Sequence, residues 1–177
     1  MPKQMERLSS VQPLPESIHA DRLIIATNRG PVEYYMNRDH QLKYRRGAGG
    51  VVTALLGAMQ HMHETWVALA MTEGDRRALQ EAPDGLLPYP FDDQKLLQLR
   101  YVAIPKAVYR RHYDTFSNRV LWFLQHYLSD YREAAPADEI LQYAWKHGYQ
   151  KANQAIAEAV CVEIEREQTS AVVMLHD

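Results

Sequence analysis

Apolar residues fall in short unbroken runs, and the stretches between several of them carry helical spacing. The first run, Leu23-Ile24-Ile25-Ala26, is entered from Asp21-Arg22; its all-apolar character predicts a buried parallel strand rather than a two-faced one. It ends in the turn-rich Thr27-Asn28-Arg29-Gly30-Pro31. Val32–Met36 and Gln41–Tyr44 are β-prone around Asn37-Arg38-Asp39-His40, which predicts a hairpin or a long excursion. Gly47-Ala48-Gly49-Gly50 then opens into Val51, Val52, Leu55, Leu56, Met59 and Met62, spaced as on a helix. Thr65–Met71 reads as a second buried strand, Glu73–Gln80 as a short helix and Ala82-Pro83-Asp84-Gly85 as a turn. Leu96–Ile104 reads as a further strand. Pro105 suits the first turn of a helix, and two helices are predicted from there to about Tyr131. After a break at Ala134–Asp138, one long helix is expected from Glu139 to Arg166, with Ile140, Tyr143, His147, Ala155, Ala159 and Val162 along one side. Ala171–Leu175 is predicted as a last buried strand, ending at His176-Asp177.

Apolar strands alternating with helices predict an α/β fold, a Rossmann-like parallel sheet covered by helices on both faces. Right-handed crossovers place the loops that follow the strands on one edge, where open α/β sheets bind ligands. The 177 residues suit one domain, taken as 21–177 behind a flexible arm at 1–20. A hydrophobic content of 46% is enough for a real core, and a net charge of -2 gives no field to gather nucleic acid or anionic membrane. No apolar run is long enough to span a bilayer, and Met1–Arg7 lacks the apolar centre of a signal peptide, so a cytoplasmic protein is the default. The single cysteine, Cys161, excludes an internal disulfide and is expected on a buried helix face.

Three features fall on the predicted ligand edge. Arg29 follows the first strand, where a planar guanidinium can clamp a phosphate; a surface arginine in a turn fits equally well. Gly47–Gly50 precedes a helix, where glycines admit a ligand close to the backbone and the first helical amides favour anions. The pattern is neither the dinucleotide fingerprint nor a P-loop, and a plain flexible turn also fits. Asp177 follows the last strand, where a carboxylate can bind sugar hydroxyls or stabilise developing positive charge; capping a following helix is the alternative. None of the eight histidines has a metal-ligand spacing, and His61 and His63, placed on a helix, would not face each other. Tyr113 and Trp122, on adjacent predicted helices, read first as core aromatics.

Four segments resemble one family. Leu23–Val32 looks like the opening strand and loop of trehalose-6-phosphate synthases, and Gly47–Leu55 resembles their glycine loop and following helix. Tyr113–Trp122 is similar to the family's Tyr-x-x-Phe-Ser-Asn-x-x-Leu-Trp segment. Val173–Asp177 looks like the strand leading into its His-Asp-Tyr-His motif. The resemblance implies the first half of a GT-B enzyme, a retaining hexosyltransferase that moves glucose from UDP-glucose to glucose 6-phosphate and needs no metal or other cofactor. It implies that Arg29 and Tyr113 hold the acceptor phosphate, that Trp122 shapes the acceptor site, and that Asp177 binds acceptor hydroxyls as the candidate catalytic residue. Gly49 and Gly50 would lie against the donor. Its partners would be a sugar phosphate and a nucleotide sugar, with no nucleic acid or membrane and with a homo-oligomer open.

Two departures bear on these expectations. The family's Trp-x-Gly-Trp stretch corresponds to Trp66-Val67-Ala68-Leu69, so Leu69 stands where the family's second tryptophan touches acceptor. Thr72–Arg77 resembles a side branch that joins cyclitols, which keeps a related glycosyl- or cyclitol-phosphate synthase as an alternative. The chain also stops inside the His-Asp-Tyr-His motif, before the donor-binding half. The fragment alone is therefore expected to be inactive, a non-catalytic phosphosugar-binding module is a further alternative, and one flank of the sheet is expected to be exposed.

Overall fold

The computed structural model describes residues 20–58, 63–92, 96–128 and 137–176. The arm expected at 1–20 lies outside them except for Ala20, as do Met59, His61, Met62 and Asp177. A five-stranded sheet runs in the order β5-β6-β4-β1-β7, formed by β1 (Arg22–Thr27), β4 (His63–Leu69), β5 (Leu87–Pro88), β6 (Leu97–Val102) and β7 (Ala171–Leu175). All neighbours pair in parallel except β5, a two-residue antiparallel edge absent from the sequence reading. The hairpin is β2 (Val32–Met36) against β3 (Leu42–Arg46), closed at Asn37, whose side-chain Oδ1 accepts from the amides of Asp39 and Gln41.

The strand sequences are apolar on both faces because both faces are packed. Ile25 and its register partner Trp66 enter one cluster with Val52, Leu97, Leu99 and Tyr101; Ile24, Ala26 and Val67 enter another with Val160. Fully burying a side chain the size of Ile24 or Ile25 stabilises by about 1.5–3 kcal/mol. On the first face lie α1 (Gly50–Ala58), α2 (Glu73–Glu81) and the hairpin; the second is covered by α6 (Gln150–Arg166).

Helix α2 begins at a capping box. The Thr72 hydroxyl accepts from the amide of Asp75, and the buried Asp75 carboxylate accepts from the amides of Thr72, Met71 and, across on β2, Tyr34. One carboxylate thus joins the end of β4, the start of α2 and the hairpin. On the other face, the buried Glu163 of α6 pairs with Arg100 of β6 and with Arg166. Arg22 reaches the end of α6, donating to the carbonyls of Glu163 and Glu167, where a cation suits the negative helix terminus.

Where two helices were expected after Pro105, one continuous helix runs through α3 (Lys106–Arg110), a π-type stretch Arg111–Leu121 and α4 (Trp122–Gln125). The long later helix is likewise α5 (Asp138–Ala144), a π-type turn Trp145–Tyr149 and α6. That turn shifts the phase of the buried stripe. Ala144, Gly148, Ala152, Val160 and Glu163 face inward; of the predicted side, Ala155 and Ala159 pack against the core, whereas Ile140, Tyr143 and Val162 are exposed. Cys161, one residue from the inward Val160, is exposed rather than buried. His63 opens a strand instead of lying on a helix. β7 was expected to be buried, yet its Val173, Met174 and Leu175 are exposed, because among the described residues β1 is its only strand neighbour.

Candidate functional site

The loop after β1 is fixed from below. The buried Trp66 indole Nε1 donates to Thr27 Oγ1 at 2.8 Å, and that hydroxyl donates onward to the carbonyl of Arg29 at 2.5 Å. The glycine loop docks beside it. The Gly47 amide donates to the Pro31 carbonyl at 2.8 Å, and any Cβ at Gly47 would run into the carbonyl of Gly30. Gly49 adopts φ +137°, a conformation that side chains rarely take, and hands the chain into α1 at Gly50.

Across from these loops, the π-type stretch presents Tyr113, Ser117, Asn118 and Leu121, and α4 continues the face with Trp122 and Gln125. The three segments enclose a cavity of about 320 Å³. Arg29, Gly49, Gly50, Tyr113 and Trp122, spread over more than half the chain, all line it. Tyr113 and Trp122 therefore belong to the cavity wall rather than to the core.

Arg29 Nη2 donates to the Tyr113 hydroxyl at 3.0 Å, and the guanidinium sits 5.6 Å from the centre of that ring. Tyr109 stacks on Tyr113 at 5.5 Å; burial, then the neighbouring Tyr113, pushes the Tyr109 phenol up to about 12, so it stays neutral at ordinary pH. Trp122 is half-exposed and stacked on His126, whose Nδ1 donates to the Trp122 carbonyl at 2.7 Å. Among the described residues, the lining includes a guanidinium and the start of a helix but no carboxylate. Such a wall favours an anion, with amides and hydroxyls beside it to bind polar groups.

A second cavity of about 250 Å³ shares Thr27, Asn28, Ser117, Leu121 and Gln125 with the first and extends to His112, Tyr149, Asn153 and His176. The His176 amide donates to the Ala26 carbonyl at 2.9 Å, which holds the end of β7 at this edge. Asp177 lies outside the described residues. Gln125 was not singled out from the sequence. The signal for Gln125 was the spacing of 113, 117, 121 and 125, one face of one helix. Among the described residues, no group of three or more His, Cys, Asp or Glu side chains is placed to hold a metal ion.

Leu69 and Thr72–Arg77 both lie away from the first cavity. Leu69 is fully buried against Ile104 and Ala152 on the α6 face of the sheet, so it does not reach that cavity. Thr72–Asp75 forms the capping box that clasps the hairpin.

The family model described as Glycosyltransferase family 20 matches residues 21–177. The chain belongs to glycosyltransferase family 20. Its family relatives include the alpha,alpha-trehalose-phosphate synthase [UDP-forming] A of Dictyostelium discoideum, 31% identical over 64% of this chain and 14% of that one. The trehalose-6-phosphate synthase of Mycolicibacterium gilvum is 31% identical over 68% of this chain and 22% of its own length. The alpha,alpha-trehalose-phosphate synthase [UDP-forming] 1 of Aspergillus fumigatus is 28% identical over 88% of this chain and 27% of its own. This chain thus spans less than a third of each of these relatives. A solved structure described as trehalose-6-phosphate from E. coli bound with UDP-2-fluoro glucose matches with a TM-score of 0.55 at 20% identity, over 88% of this chain and 27% of that one. The alpha,alpha-trehalose 6-phosphate synthase structure from Burkholderia multivorans gives 0.56 at 19% identity, over 90% and 28%. At these identities the likeness is one of fold, the Rossmann-like α/β sheet of GT-B glycosyltransferases. Among the described residues, no helix is long and apolar enough to cross a membrane.

Proposed function

We propose that this chain is the acceptor-side domain of a trehalose-6-phosphate synthase-type enzyme, which transfers glucose from UDP-glucose to glucose 6-phosphate with retention. The observation that carries this reading is the convergence of Arg29, Tyr113 and the Gly49-Gly50 helix start on one cavity. In this reading Arg29 grips the acceptor phosphate with its guanidinium, and the Tyr113 hydroxyl, already its hydrogen-bond partner, turns to the same anion. Trp122 offers an exposed ring face against the acceptor sugar. Gly49 and Gly50 let the donor diphosphate approach the first amides of α1, which lack intrahelical partners. Asp177, next in sequence after His176, is proposed to receive acceptor hydroxyls as the candidate catalytic group. The buried Leu69 supports no change of acceptor.

Calorimetric titration of the chain with glucose 6-phosphate and with glucose tests the acceptor assignment. Saturable binding of the phosphorylated sugar is expected, with glucose much weaker. Arg29→Ala should weaken the complex by about 1.5–3 kcal/mol, the range for a hydrogen bond to a charged group. Equal binding of the two sugars, or an unchanged affinity in Arg29→Ala, would refute the assignment.

A further inference from the structure

We infer that Trp66 and Thr27 are positioning residues for Arg29, acting through a two-bond relay that runs from the second strand of the sheet to the anion-binding loop. The inference rests on the reading of Arg29 as the phosphate clamp and adds what holds that clamp in place.

Arg29 is an exposed side chain at the end of a strand, and a long side chain in such a place samples many rotamers. Its guanidinium nevertheless meets Tyr113 at 3.0 Å, which requires the backbone at residue 29 to hold one orientation. Part of that constraint comes from Thr27. The Thr27 hydroxyl has one proton, directed to the Arg29 carbonyl at 2.5 Å. A hydroxyl left to itself rotates to suit its surroundings. Here one of its two lone pairs accepts the Trp66 indole N–H at 2.8 Å, which narrows the rotations open to the proton and favours the one that meets the Arg29 carbonyl. Accepting one bond also strengthens the bond donated onward, because successive hydrogen bonds polarise one another in a low-dielectric setting.

Trp66 sits in β4 opposite Ile25 of β1, with its ring sealed in the core cluster and its side chain absent from the wall of the cavity. A phenylalanine would fill most of that space. The feature of tryptophan that filling the core does not call for is the N–H, and the N–H is the atom that meets Thr27. The relay therefore links a fully buried residue of a central strand to the orientation of an exposed cation.

Thr27→Val removes both bonds at nearly constant shape, Trp66→Phe removes the first, and Thr27→Ser keeps both. The affinity for glucose 6-phosphate, measured by calorimetry on folded protein, should fall about tenfold in Thr27→Val and Trp66→Phe and stay within about twofold in Thr27→Ser. In the ligand-free chain, nitrogen relaxation of the Arg29 Nε–H should report a more mobile side chain in the first two variants and an unchanged one in the third. Trp66→Phe separates the relay from any direct contact of Thr27 with the ligand, because Trp66 does not line the cavity. In the unaltered chain, the Thr27 hydroxyl proton should exchange slowly and show proximity to the Trp66 indole proton, a readout that needs no variant to fold.

Wild-type affinity together with unchanged Arg29 relaxation in Thr27→Val and Trp66→Phe would overturn the relay, and so would a fast-exchanging Thr27 hydroxyl. If Arg29→Ala loses binding while these variants change neither affinity nor Arg29 relaxation, the relay alone fails. An Arg29→Ala chain that binds normally sinks the phosphate reading, and the relaxation data then decide the relay by themselves.

Discussion

Replacing Asp75 should remove a large part of the stability of the fold, although the residue lies outside both site cavities. Its Oδ1 accepts from the buried amide of Tyr34 at 2.9 Å, and its Oδ2 accepts from Met71 at 3.0 Å and Thr72 at 2.8 Å. In Asp75→Ala all three donors lose their partner. The buried Tyr34 amide alone costs about 1–3 kcal/mol when left unsatisfied, and dismantling the cap of α2 adds about 1 kcal/mol. The sum is about 3 kcal/mol, a sizeable share of the roughly 5–15 kcal/mol by which domains are stable. Asp75→Asn discriminates further. Its oxygen can still serve Tyr34, but its NH₂ then faces two amide donors, so about 2 kcal/mol should be lost. Urea unfolding followed through tryptophan fluorescence, to which the buried Trp66 contributes, reads both variants. The midpoint should fall while the slope stays constant, which marks a change in stability alone. Glu73→Ala, in the same helical turn but exposed, should stay within about 0.5 kcal/mol. If Asp75→Asn matched the parent chain, or if Glu73→Ala cost as much as Asp75→Ala, the clasp would not be the source of the stability.

Glu163→Gln strips the charge that faces Arg100 and Arg166; breaking a buried pair of this kind should cost about 3 kcal/mol in urea unfolding, and a loss below about 1 kcal/mol would argue against it. Alkaline titration should destabilise the fold. Burial pushes the phenols of Tyr34 and Tyr109 up to about 12, whereas unfolded tyrosine ionises near about 10. The stabilising protonated forms are intact below about pH 10, and stability falls from there to about pH 12, by up to about 1.4 kcal/mol per pH unit for each ring. Tyr34→Phe should flatten that fall, and a parent chain equally stable at both ends of the window would contradict the reasoning. Gly47→Ala should lose about 1–3 kcal/mol because its methyl meets the Gly30 carbonyl, whereas Gly50→Ala, whose methyl meets nothing within 4 Å, should fold normally. Thermal melts of the two variants side by side check the contrast, and similar losses in both would refute it.

The parts of this fold that could be read from the sequence are those set by local chemistry. Leu23–Ala26 and Val67–Leu69 are apolar on both faces because helices cover both faces, and Asn37 and Thr72 mark a turn and a helix start through their own side-chain hydrogen bonds. Of the candidate site, local chemistry gave only the location of two parts: Arg29 and Gly49-Gly50 stand directly after a strand and before a helix, while a surface arginine and a flexible turn fitted equally, and Tyr113 and Trp122 came from the family resemblance alone. The relay behind Arg29 was not legible, since an indole buried in a strand looks like core packing until its N–H is seen to have a partner. The stripe expected along the long helix holds only in its middle: Ala155 and Ala159 pack on the core, whereas Ile140 and Tyr143, ahead of the π-type turn at Trp145–Tyr149, and Val162 near the far end lie outside. Glu163 escaped notice because a charged residue at the centre of a buried face has no apolar signature.

The position of β1 between β4 and β7 has a consequence for how the chain assembles. Its pairing with β4 joins segments made close together in time. Its pairing with β7 closes a far longer loop, with Asp21 and Ser170 hydrogen-bonded across 149 residues. A ribosome adding about 5–20 residues per second keeps one flank of β1 waiting for on the order of ten seconds. During that interval Ile24 and Ala26 lack the cover that α6 later supplies, and the edge of β1 is open to any extended segment nearby. Folding of this domain is therefore expected to be slow and late, completed only once the segment containing β7 has left the ribosome, and most open to chaperone capture just before that point.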